Sequence, residues 1–147
     1  MARMETTGLD SLMNDLNAVA ERTPELRDKI LNAEADVIEP ALSRSISDER
    51  LVRSSKLKLS LSRRKVKISR LVAIRIGPTG EHHRYFPSSG KSGIVNAGYV
   101  GYIGEYGIPV RGIKGREWLK KGLTKSQNNA FDAAETVFNE FMDKNNL

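Results

Sequence analysis

Val72-Ala73-Ile74-Arg75-Ile76-Gly77-Pro78-Thr79-Gly80 reads as a strand stopped by a glycine-proline turn. A polar, glycine-rich stretch follows. It leads to Gly98-Tyr99-Val100-Gly101-Tyr102-Ile103-Gly104-Glu105-Tyr106-Gly107 and then to Trp118-Leu119, which opens a short helix. Ile74 to Leu123 is patterned throughout yet holds no recognisable catalytic set. Its residues are those of a segment that shapes and presents a surface.

On the N-terminal side of this stretch, Val66, Ile68, Val72, Ile74 and Ile76 share one parity, broken only at Arg70. That pattern fits one long strand with a bulge or two strands bent near Ser69-Arg70. Leu57, Leu59 and Leu61 alternate like a strand, but their spacing also allows a helical turn. Further back, Leu26, Ile30, Ala33, Val37, Ile38, Ala41 and Leu42 recur at helical spacing. Thr23-Pro24-Glu25 has the form of an N-cap, a first-turn proline and a first-turn acid. It predicts a helix starting at Pro24 and running to Ile46, kinked near Pro40. Leu9, Leu12, Met13, Leu16, Val19 and Ala20 predict a separate helix before it.

Toward the C-terminus, Glu81 to Gly98 is aperiodic and reads as a long loop, with Pro87 to Gly93 at its centre. Tyr99 to Tyr106 fits either a strand or a short helix. The glycines at 98, 101, 104 and 107 predict close backbone contacts or sharp turning. Gly107 to Gly115 reads as a second loop. Thr124 with Gln127 resembles a capping box, so the last helix is expected over Asn128 to Asp143, with Phe131, Phe138 and Phe141 packed in the core or between helices. Helices and strands that segregate in this way predict an α+β fold: helices at both ends packed on a small, mainly antiparallel sheet with long loops.

The chain has 147 residues and no cysteine. The length predicts a single domain, 1–147. Without cysteine there is no disulfide, no thiolate zinc site and no cysteine nucleophile. No apolar run approaches the ~20 residues of a membrane span, and Met1 to Gly8 lacks the apolar region of a signal peptide. A cytoplasmic origin and no membrane partner are expected.

Charge is unevenly spread. Residues 1–49 carry eleven acidic and five basic side chains, residues 50–80 carry ten basic and no acidic ones, and the remainder is nearly balanced. The basic block suits contact with neighbouring subunits or with nucleic acid. Arg63, Arg64, Lys65 and Lys67 form its candidate face. The block from Arg50 to Gly80 contains no aromatic residue for base stacking, and its lysines alternate with Val66 and Ile68 as on the solvent side of a strand.

The remaining chemistry is thin. His82-His83 are adjacent, so on extended chain they point apart and make a poor metal pair. Gly90-Lys91-Ser92 lacks the earlier glycine of a phosphate-binding loop, since Tyr85 stands there. Glu105 has no second carboxylate nearby. It reads as a structural acid that bonds a turn or pairs with Arg111, Lys114 or Arg116. Trp118 suits a core or an interface. No enzyme, cofactor or metal site is expected.

Arg75-Ile76-Gly77-Pro78-Thr79-Gly80, the Gly101–Gly107 segment and Trp118-Leu119 entering a terminal amphipathic helix together resemble the minor tail or neck proteins of long-tailed bacteriophages and prophages. The likeness runs in order along nearly the whole chain. It departs at the long His82–Gly98 stretch, and at Trp118-Leu119-Lys120 where many members have phenylalanine-leucine-arginine. The resemblance implies a structural protein of the virion, made in the host cytoplasm. It would form an oligomeric ring at the head–tail junction, in a neck or tail-completion role. Its partners would be copies of itself, neighbouring connector and tail proteins, and packaged DNA through non-specific phosphate contacts. Glu105, Tyr106, Arg111 and Trp118 are then the candidate interface, with Glu105 and Trp118 expected to tolerate substitution without unfolding. Loops His82–Gly98 and Gly107–Gly115 would order against adjacent rings. The alternative is a basic nucleic-acid-binding protein that uses the Arg50–Gly80 face.

Overall fold

A computed structural model describes residues 9–51, 54–69, 71–86 and 91–145, with side chains described in 22–51, 56–69, 71–81 and 93–145. Helix α1 (Leu9–Asp48) is 40 residues long and contains both Pro24 and Pro40. The two expected N-terminal helices are therefore one. Proline holds φ near the helical value, so it can sit inside a helix at the loss of one backbone hydrogen bond. The Arg22 guanidinium donates to Asn145 at the far end of the chain, which ties the turn before Pro24 to the same partner helix as the turns after it.

That partner is α4 (Trp118–Lys144), which packs along α1. The expected stop before Thr124 is absent. Thr124 lies inside the helix and its hydroxyl donates to the Lys120 carbonyl at 2.9 Å, satisfying itself without capping anything. The buried line on α4 is Trp118, Gly122, Ser126 and Ala130, spaced by four. Three of these are small, so the helix axes come close. A Cβ on Gly122 would sit 2.8 Å from Leu42 Cδ2 and 3.2 Å from Ser45 Cβ. The expected packing of the phenylalanines is corrected at Phe131 and Phe138 by the same geometry, while Phe141 is half-buried. Phe131 and Phe138 are exposed, because a seam of small residues leaves no room for bulky ones on the contact line.

Between the helices, α2 (Ser54–Leu59) resolves the leucine ambiguity: Leu57 is buried in a helical turn, and Leu61 starts a strand. Strands β1 (Leu61–Ile68) and β2 (Leu71–Pro78) form an antiparallel hairpin, pairing Ile68 with Leu71 and Leu61 with Pro78. Ser69 takes φ 56° in the two-residue turn, the left-handed conformation such turns require. This register overturns the shared parity. Arg63, Lys65 and Lys67 lie opposite Ile76, Ile74 and Val72, while Val66 and Ile68 lie opposite Ala73 and Leu71. Residues of equal parity on the two strands thus occupy opposite faces of the sheet.

The stretch expected as a long loop is a second hairpin, β3 (Glu81–Phe86) with β4 (Lys91–Asn96). Pro87 to Gly90 lies outside the described residues. A strand begins at Lys91, where a phosphate-binding loop would need a helix. Asn96 then caps α3 (Ala97–Tyr106), its side chain accepting from Gly98 N at 2.7 Å. The Tyr99–Tyr106 segment is therefore helical. Gly107 leaves α3 with φ 75°, and a Cβ there would lie 2.2 Å from Ile113 O. Only glycine fits this turn into the short pair β5 (Gly107–Ile108) and β6 (Ile113–Lys114), which brackets a 3-10 turn at Pro109–Arg111.

The architecture is α+β, as expected from the sequence. Its core is Leu42, Ile46, Leu51, Leu57 and Trp118, with Ile38, Leu61, Ile76, Val100 and Leu119 packed against it. Burying each large aliphatic side chain contributes about 1.5–3 kcal/mol. Gly122→Val forces a branched side chain into the α1–α4 seam and should cost about 1–3 kcal/mol. Asn128→Val, on the exposed side of the same helix, should shift stability by no more than about 0.5 kcal/mol. Urea midpoints for the two variants check this, and equal midpoints would show that the seam is not tightly packed.

Candidate interaction surface

The site is built around the corner where α3 meets α4. Trp118 is 2% exposed. Its indole N–H donates to the Gly101 carbonyl at 2.9 Å, and its own carbonyl accepts from Ser45 Oγ at 2.6 Å. Gly101 and Gly104 give it room: a Cβ at either would come within 3.5 Å of the indole. Glu105 is 7% exposed. Its carboxylate accepts from the backbone N–H groups of Leu119 at 2.7 Å and Lys120 at 3.2 Å. Glu117, at the N-cap position of α4, makes no side-chain cap. Glu105 supplies that cap from another helix, where a negative charge also suits the helix dipole.

Two of the four expected interface residues are thus corrected. Glu105 and Trp118 belong to the chain's own interior, so Glu105→Lys or Trp118→Ala would damage the fold. Nor does Glu105 pair with Arg111, Lys114 or Arg116. Arg116 donates instead to the Glu49 carbonyl at 2.7 Å. Tyr106 and Arg111 are exposed.

The packing that buries this side of α3 turns its other side outward. Ala97, Gly101 and Glu105 face inward at spacing four. Tyr99, Tyr102 and Tyr106 are 57%, 59% and 62% exposed, and the last two rings touch with centroids 4.8 Å apart. Val110, on the neighbouring 3-10 turn, is almost fully exposed. Clustered exposed aromatics are unusual on an isolated chain and common where a partner docks. Sequence reading misses Tyr99 and Tyr102. Their spacing of three and four would mark them once the segment is taken as a helix.

The basic strand divides by face. Arg63 donates to Asp36 at 2.6 Å and to Glu39 at 2.7 Å, and Lys65 donates to Asp28 at 2.5 Å. These acids all lie on α1. Bonding to Asp36 and Glu39 raises the pKa of Arg63. The bond from Lys65 holds Asp28 below its ordinary value. Arg64 lies opposite Arg75 on the other face, where both are exposed. Lys67 is exposed as well, and none of these three makes an ion pair among the described residues. Lys65 and Lys67 are exposed, as a solvent-side face would be, but Arg63 and Lys65 bond to acids of α1, and Ile68 on the opposite face is exposed too, together with Leu71.

A third feature is an open groove of about 1000 Å³ beside the α1–α4 seam, lined in part by Glu34, Ile38, Leu119, Leu123 and Phe131. The side chains of His82 and His83 lie outside the described residues. Among the described residues no group of three or more His, Asp or Glu side chains is placed to hold a metal, and no helix is long and apolar enough to cross a membrane. No family model, curated protein or solved structure matches the chain.

Asp28 gives a pH test. Its pKa is lowered in the folded state, so below about pH 4 the unfolded chain binds more protons. The Asp28–Lys65 contribution is present above that range and is lost as pH falls through the folded value. Lys65→Met should lower stability slightly near pH 7, as for exposed pairs, and the variant and wild-type curves should converge as pH falls below about 4, so that the variant declines less steeply. Denaturation midpoints measured from pH 7 to pH 2 read the difference, and parallel curves for variant and wild type would rule the pair out.

Proposed function

We propose that this chain is a structural subunit of a long-tailed phage particle. It forms an oligomeric ring at the head–tail junction, in a neck or tail-completion role, and joins the capsid connector to the tail. The observation that carries this reading is the tyrosine face of α3. Three large aromatic side chains stand outward on a helix whose opposite side is locked by Trp118 and Glu105. A rigid helix offering such a face can bind a partner at little cost in ordering. The scaffold suits this role, because a 40-residue helix spans about 60 Å and is braced along part of its length by α4 and β1. The protein acts by contact and performs no reaction.

Contact with packaged DNA is a second reading, favoured by the directly opposed Arg64 and Arg75. Like charges across a strand pair repel unless an anion is near. Arg63 and Lys65, already paired with α1, take little part in it.

The triple variant Tyr99→Ser, Tyr102→Ser, Tyr106→Ser should remain folded by circular dichroism, since all three side chains are exposed. In particles made from the genome that encodes the chain, it should leave filled heads and free tails that fail to join. Wild-type protein should be found at the junction of purified particles. Absence of the chain from particles, or wild-type titres from the triple variant, would defeat the proposal.

A further inference from the structure

We propose that copies of this chain associate head to tail, the outer face of the β1–β2 hairpin of one copy seating in the α1–α4 groove of the next. The outer face is defined by register. Ile68 opposes Leu71 at the tip, Val66 opposes Ala73 behind them, and Arg64 opposes Arg75 at the base. Ile68 and Leu71 are well exposed. The result is a short apolar tongue with two cations behind it that are unpaired among the described residues.

The groove is its complement. Ile38, Leu123 and Phe131 offer apolar surface, and Phe131 is two-thirds exposed at 67%. Glu34 lines the same groove, and Glu135 follows Phe131 by one helical turn. Neither acid makes an ion pair among the described residues. The cation in the groove, Lys120, is answered by Glu117 at 3.3 Å. An apolar tongue with two arginines thus complements a groove that has apolar surface, Glu34 in its lining and Glu135 one turn beyond Phe131, and both patches lie on one chain. Burial of the apolar parts drives association, and the opposed charges set which way round the copies meet. Two different patches that bind each other form a heterologous contact, the kind that closes into rings or extends into filaments. The inference rests on the functional reading above only in requiring that the chain self-assemble.

A charge swap tests it. Arg64→Glu with Arg75→Glu on the hairpin, or Glu34→Lys in the groove with Glu135→Lys beside it, should each abolish the oligomer peak in sedimentation velocity. An equimolar mixture of the two double variants should restore it, because each acidic hairpin then finds a basic groove and each basic hairpin an acidic one. The chain has no cysteine, so a second test is clean. Leu71→Cys and Phe131→Cys, placed in separate chains and mixed under mild oxidation, should give a disulfide-linked dimer. This requires the two Cα atoms to approach to about 6 Å.

Wild type that stays monomeric and yields no cross-link overturns the inference. Oligomers that ignore both charge reversals overturn it too, yet leave the functional reading intact. Salt-sensitive duplex DNA binding, lost in Arg64→Glu with Arg75→Glu while the oligomer is unchanged, would assign the hairpin face to nucleic acid instead. If the mixture rescues assembly but the chain is missing from particles, the contact stands and the functional reading fails.

Discussion

The junction of α3 with α4 depends on two polar groups that meet out of solvent. Trp118 places its indole N–H on the Gly101 carbonyl, and Glu105 places its carboxylate on the Leu119 and Lys120 amides. Each satisfies the other helix. Truncating a buried tryptophan typically costs about 3–5 kcal/mol, and losing a helix cap about 0.5–2 kcal/mol. Charge-assisted bonds lie toward the stronger end. Together these are a large share of the stability of a domain this size. The same corner fixes the rotation of α3 about its axis, and that rotation determines that the tyrosines face outward.

Charge is handled largely within the chain. The acidic first third and the basic middle first suggest two poles seeking other molecules. In the structure, Asp28, Asp36 and Glu39 of α1 meet Lys65 and Arg63 of β1, and Glu49 meets Lys121. These pairs are at least partly exposed, so each contributes little to stability. Their larger effect is to orient the hairpin, holding one basic face against α1 and leaving Arg64, Arg75 and the apolar tip on the outside.

The α+β class, the apolar stripe from Leu26 to Leu42 and the strand end at Gly77-Pro78 are legible because each rests on local periodicity or on backbone restriction. What is not legible depends on tertiary pairing. Thr23-Pro24-Glu25 and Thr124 carry helix-start chemistry, yet α1 and α4 continue through them because long contact with each other outweighs a local preference. The parity of Val66 to Ile76 is a true local signal that changes meaning once the chain reverses at Ser69. Phe131 and Phe138 read as core by hydrophobicity, whereas the seam selects small residues. Glu105 reads correctly as structural. Its acceptor role toward α4, fourteen residues onward, has no signature in spacing.

Amide hydrogen exchange at Leu119 and Lys120 tests the central claim most directly. First-turn amides of an ordinary helix have no intrahelical partner and exchange fast. If the Glu105 carboxylate holds the corner shut, these two amides will exchange as slowly as that of Ile46 in the core, through global unfolding alone. Rapid exchange at both while Ile46 stays protected would contradict the account.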